Sequence, residues 1–290
     1  MTRLTVATTS VPGDLAAKLD QIAAAGFNGV ELHEPDLIRF GGSPKEIGAH
    51  AKSLGLSIDV MQPFHRFEGA PVEARSAAFA RLDHKLALMQ DLGATTLLVC
   101  STTDPEASPD FDTQTTDLSE LADRAGQVGV RAAYLALPWA QFVQREVDAL
   151  AMVEAVDSPH LGLALNSVFS LADGSQAARL RDVPGERIFH VQLSDAPAVE
   201  FDISLLKNQF GLLPGQGGLN LASFVRVMAR AGYDGPWSLS RVSATASDNR
   251  QSYARDGYRA LVSLLDEVAT TEPALAKPVA ELPSLSLIHI

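Results

Sequence analysis

The chain has 290 residues, 46% of them hydrophobic and 20% charged, which is enough apolar material for a sizeable core in one or two domains. A formal net charge of −12 argues against a general nucleic-acid binder, because phosphate contacts need clustered Lys and Arg. Cys100 is the only cysteine, which excludes an intramolecular disulfide and a Cys-rich metal site; it reads as a structural thiol on a buried strand.

The opening MTRLTVATTS lacks the apolar run of a secretory leader, and no stretch approaches the ~18 apolar residues of a membrane span. The expectation is a soluble cytoplasmic protein with a small-molecule ligand and neither a nucleic-acid nor a membrane partner.

In chain order, β-branched or Leu-rich runs at 4–8, 29–33, 57–62, 95–101, 130–137, 161–167, 188–193 and 237–241 predict eight strands. Helical segments with a 3.6-residue period separate them. Phe79, Leu82, Leu86 and Met89 make one apolar stripe, and Leu221, Phe224, Val225 and Met228 make another. Gly26, Gly55, Gly93, Gly129 and Gly232 each follow a helical pattern and suit a left-handed cap. "AAAGFNGVEL", "KSLGLSIDV" and "QDLGATTLLV" thus repeat one phrase of helix end, glycine and next strand. Eight such units predict a (β/α)8 TIM barrel over 1–269. A doubly wound open sheet competes, but "TSVPGDL" after the first strand lacks the Gly-rich turn of its dinucleotide-binding version. The proline-containing segment 270–290 reads as a linker-like tail, and its last residues, LSLIHI, read like a translated sequencing adapter. The natural chain is expected to continue past Pro283.

Barrel enzymes place their chemistry at the carboxyl ends of the strands. Those ends carry Glu31, His33, Glu34 and Asp36 after strand 2, and Gln62, His65, Arg66 and Glu68 after strand 3. Strand 7 carries His190, Gln192 and Asp195 in "HVQLSDAP". Carboxyls and imidazoles gathered there can hold a divalent cation or move protons. Taken singly, Glu31 and Glu34 also suit loop caps or salt bridges, and His190 suits a satisfied core histidine.

The phrases "IAAAGFNGVELHEPDL", "QPFHRFEG", "LGLALNSVFSLA", "FHVQLSDAP", "LLPGQGGLN" and "YDGPWSLS" resemble the sugar-phosphate isomerase/epimerase-like, or xylose isomerase-like, TIM barrels. Within them the chain is most similar to bacterial 3-dehydroshikimate dehydratases, over 4–268. The resemblance implies a barrel that binds one divalent metal (Mn, Mg or Co) and dehydrates 3-dehydroshikimate to protocatechuate. Some members carry a fused C-terminal dioxygenase-like domain, and a truncated fusion would account for the tail.

The resemblance also implies four metal ligands, and this chain departs at three of them. "YLAL" puts Leu135 where the family has Glu, "NSVF" puts Asn166 for Asp and Phe169 for a His near the substrate, and "WSLS" puts Ser240 for Glu. Gln192 alone is retained. In "QPFHRFEG", His65 and Arg66 replace Arg and Asp. Hard cations draw their affinity from anionic oxygen, so no cofactor is expected here and a pseudoenzyme is the leading expectation. If activity remains, His65 or His190 would be the base and Arg66 the oxyanion partner. Glu31, Glu34, Gln62, Asp195 and Lys207 would then contact the substrate. The alternatives are a metal-free isomerase or epimerase acting on another polyol or keto acid, and a ligand-binding or scaffold barrel of a fusion protein.

Overall fold

All eight expected strands form in the computed structural model, which describes residues 2–171, 180–197, 211–241 and 252–272. They are β1 Leu4–Ala7, β2 Gly29–His33, β3 Ser57–Phe64, β4 Thr96–Cys100, β5 Arg131–Leu135, β6 Leu161–Asn166, β7 Ile188–Leu193 and β8 Trp237–Leu239. Each pairs in parallel with its sequence neighbours, and β8 closes onto β1 through Leu4–Trp237, Thr5–Ser238 and Val6–Leu239. The helices of the described residues are α1 Leu15–Ala25, α2 Glu34–Phe40, α3 Pro44–Ser53, α4 Val72–Leu92, α5 Phe111–Gln127, α6 Glu146–Val156, α7 Ser167–Leu171, α8 Leu221–Arg230 and α9 Tyr253–Thr271. This is a (β/α)8 TIM barrel. Among the described residues no helix is long and apolar enough to cross a membrane.

Local signals set the element ends. Asp14, Asp110 and Asn220 each accept a backbone N–H at the start of α1, α5 and α8, and Ser43 with Glu46 forms a reciprocal capping box on α3. Gly26 and Gly93 cap α1 and α4 at φ 103° and 73°, a region that costs a residue with a Cβ about 1–2 kcal/mol. Gly55, Gly129 and Gly232 also take positive φ, as the repeated phrase requires. Strand 1 stops one residue earlier than expected, because the Thr8 hydroxyl accepts from His33 N at 3.0 Å and donates to Asp36 at 2.7 Å. Strand 8 stops two residues early for a related reason. Beyond it Arg241 bonds to the side chains of Ser10 and Thr9 instead of a strand.

Two apolar layers hold the barrel. The outer faces of the strands (Leu32, Met61, Leu97, Leu165 and Val191 among them) pack against helix stripes that include Leu82, Met89, Phe224 and Met228. Each fully buried Leu, Met or Phe contributes about 1.5–3 kcal/mol. Inside the barrel a second cluster gathers Val60, Leu98, Cys100, Ala133, Leu135 and Ala164. Its floor is Phe189, which packs over Gly162, where an added Cβ would lie 2.7 Å from the ring. The Arg131 guanidinium sits 4.6 Å from the Phe189 ring centre.

Candidate active site at the barrel mouth

Successive residues of a strand point to opposite faces, so His190 and Gln192 of β7 share one face. Register then sets Gln192 beside Asn166 of β6 on one side and beside Ser238 of β8 on the other. Glu31 of β2 meets them across the barrel. Its Oε2 accepts from the Ser238 hydroxyl at 2.7 Å and lies 3.1 Å from His190 Nε2. Its Oε1 accepts from Gln192 Nε2. Glu31, His190 and Ser238 are all fully buried, and His190 Nδ1 has no hydrogen-bond partner among the described residues.

With its amide nitrogen held by Glu31, Gln192 turns its oxygen to Asn166, whose Nδ2 donates to it at 3.0 Å. Asn166 spends its own oxygen on the backbone, accepting from Val168 N at 3.0 Å and Phe169 N at 3.3 Å. The result is a continuous chain of bonds from Glu31 through Gln192 and Asn166 to the first turn of α7. Both amide oxygens are occupied from within it.

The other two mouth positions differ. Leu135 is buried among Cys100, Ala133, Leu137 and Ala164, and its side chain carries no donor or acceptor. Ser240 is buried, and its N–H donates to Leu193 O at 3.1 Å. Above Leu135 and Leu137, Phe169 and Trp139 meet edge to face with ring centres 5.3 Å apart. Among the described residues, no three His, Cys, Asp or Glu side chains gather as a metal-holding group.

The remaining expected site residues sit apart from this chain of bonds. The Asp195 carboxyl accepts from the N–H groups of Ala196, Gly215, Gly217 and Leu219 at 2.8 to 3.2 Å. It gathers the returning loop. Gln62 is half-buried at the end of β3, in register with His33. Glu34 pairs with Lys85 of α4. Arg66, at φ 55°, turns its guanidinium onto Asp104 at 2.7 and 3.1 Å. His65 lies in the exposed loop after β3. Its pKa is lowered, first by partial enclosure and then by the charges of Lys85, His33 and Arg81. Lys207 lies outside the described residues.

Two buried groups near the barrel interior, Glu68 and Cys100, have strongly altered chemistry. Glu68 is buried; its Oε1 accepts from Thr102 N at 2.5 Å and the Tyr134 hydroxyl at 2.8 Å, while its Oε2 has no partner among the described residues. Desolvation outweighs those bonds and pushes its pKa up to about 7. Burial likewise raises the Cys100 thiol, which keeps it protonated and unreactive, as expected of a structural cysteine. The only sequence signal for Glu68 was its place after strand 3.

Comparison with known proteins agrees with this architecture. The 3-dehydroshikimate dehydratases of Pseudomonas putida and Pseudomonas aeruginosa are 37% and 39% identical over 264 and 261 residues, or 90% and 89% of this chain. The chain spans 41% of the length of each of those relatives. A solved xylose isomerase-like TIM barrel/4-hydroxyphenylpyruvate dioxygenase fusion protein superposes on 96% of this chain and 45% of its own, with a TM-score of 0.90 and 34% identity. The family model for xylose isomerase-like TIM barrels matches residues 19–264, and the chain belongs to that family.

Proposed function

We propose that this barrel is a 3-dehydroshikimate dehydratase-like unit in which an amide lock has taken the place of the metal site, leaving a small-molecule-binding barrel without the family's metal-dependent turnover. One observation carries the reading: the bond chain Glu31–Gln192–Asn166 uses both amide oxygens internally, beside a Leu135 that offers nothing. A hard divalent cation draws its affinity from charged oxygens, each worth about 4 kcal/mol at close range and an effective dielectric near 20. The four mouth positions supply none, so they do not fit a metal of the family type. To bind one through Asn166, its oxygen would have to give up a backbone N–H of α7, while Gln192 offers one neutral lone pair beside the bond it accepts from Asn166.

The similarity to relatives more than twice as long, and to a barrel/dioxygenase fusion, supports a further part of the proposal. This barrel acts as one unit of a fusion with a dioxygenase-like domain.

Metal content and 3-dehydroshikimate turnover on one purified sample, with Mn²⁺, Mg²⁺ and Co²⁺ added in turn, test the reading. The expected result is no stoichiometric metal and no protocatechuate absorbance. Metal-dependent product overturns it. The triple variant Leu135→Glu, Asn166→Asp, Ser240→Glu is expected to gain Mn²⁺ affinity by calorimetry; failure to do so breaks the assignment of those positions.

A further inference from the structure

A cleft of about 470 Å³ opens between the end of β3, the start of α2 and the middle of α4. None of the groups of the Glu31–Gln192–Asn166 chain lines it. Its apolar surface comes from Pro63, Phe64 and Ala80, and its polar groups are His65, Arg81, His84 and Lys85, with Glu34 the single acid. Helical spacing explains the convergence. Arg81 and Lys85 are four residues apart on α4, as are Ala80 and His84, so neighbouring stripes of one helix face supply two cations, an imidazole and a methyl.

The bland reading is that these cations only brace the fold, and part of their capacity is used that way. Arg81 donates to the carbonyls of His65 and Arg66 at 3.2 and 2.8 Å, and Lys85 pairs with Glu34. A guanidinium has five N–H groups and an ammonium three, so most of their donors have no such partner among the described residues. Counting Lys and Arg against Asp and Glu, the lining carries two cations and one carboxyl, on a chain whose net charge is −12. The His65 pKa is lowered first by burial and only then by the nearby charges of Lys85, His33 and Arg81.

The cleft falls within the roughly 300–1,000 Å³ of small-molecule sites, mostly apolar with a few convergent polar groups. An inorganic anion would leave its apolar wall uncovered. We propose that this cleft is a second ligand site, distinct from the barrel mouth, which takes a small ring-bearing carboxylate. The ring lies against Pro63 and Ala80, and the carboxylate meets Arg81, Lys85 and the His84 imidazole. The proposal does not depend on which reaction, if any, the barrel mouth performs.

Benzoate titrated into the whole chain, followed by the imidazole resonances of its histidines, tests this. The expected result is a saturable shift of His65 and His84 together, with His190 unmoved. Benzyl alcohol, with the same ring and no charge, is expected to bind at least about tenfold more weakly. Arg81→Gln is expected to weaken benzoate by about tenfold. His84→Ala, at an exposed side chain with no hydrogen bond or ion pair among the described residues, should weaken it several-fold at unchanged melting temperature. Any of three results overturns the proposal: equal binding of benzoate and benzyl alcohol, an unsaturable or absent shift, or affinity unchanged in both variants. A shift confined to His190 would place the ligand in the barrel and overturn it as well.

Discussion

From β3 to β6 the barrel interior is mainly apolar, with Val60, Leu98, Cys100, Ala133, Leu135 and Ala164 and only Asn166 of these strands joining the polar chain; from β7 across the closure to β2 it is, above the Phe189 floor, His190, Gln192, Ser238 and Glu31. The first half is held by many dispersion contacts, each worth about 0.1–0.2 kcal/mol, so damage to it scales with the volume removed. The second half is held by a few bonds that converge on one carboxyl. Loss of that carboxyl strands several buried donors at once. The apolar half can be trimmed gradually, while the polar half stands or falls together.

Substitutions that move one half toward the other test this contrast. The largest effect is expected from Leu135→Glu alone, which buries an unpaired carboxyl among Cys100, Ala133 and Ala164. It should cost about 3–5 kcal/mol in urea unfolding at pH 8, and less at pH 5, where the group can protonate. Glu31→Ala strands Gln192 Nε2 and the Ser238 hydroxyl and is expected to cost about 3 kcal/mol, whereas Glu31→Gln keeps acceptor capacity and costs less than half of that. Equal costs for the two would show that the polar half is held by shape, not by its bonds.

Glu68 gives an intermediate effect with a defined pH signature. Its folded pKa of about 7 lies above its ordinary value of 4.5, so between those pH values the folded state holds the proton more tightly than the unfolded chain. Its contribution is therefore fully present below about pH 4.5, is lost as pH rises to about 7, and is flat above. The full span is about 3 kcal/mol. Glu68→Gln should flatten that part of the stability–pH curve. The smallest effect is expected from Asp195→Asn, about 1–2 kcal/mol, read as faster hydrogen exchange at Gly215 and Gly217 with little change at β7.

The fold was legible because its signals are local and repeated. Apolar runs, helical stripes and five glycines recur in one order (helix end, glycine, next strand), and together they place the elements. The interior was less legible. In a parallel barrel both faces of every strand are covered, so the polar–apolar alternation that marks inward residues elsewhere is weak. "GVELH" and "FHVQL" therefore read as buried strands without showing that Glu31 and Gln192 would meet. The gathering of the loop N–H groups by Asp195 depends on backbone donors, which no side-chain pattern announces. Arg66 reads as an available cation until Asp104, 38 positions along the chain, is seen to hold it.

Asp195 and Leu212 exchange backbone hydrogen bonds in both directions, at 2.9 and 3.0 Å, and the Asp195 carboxyl holds the N–H groups of Gly215, Gly217 and Leu219 as well. The segment that leads into α8 is thus moored to the end of β7 at one residue. A mooring of that kind sets where α8 begins, so the helix inherits its position from the strand it follows in the barrel and not from its own packing alone.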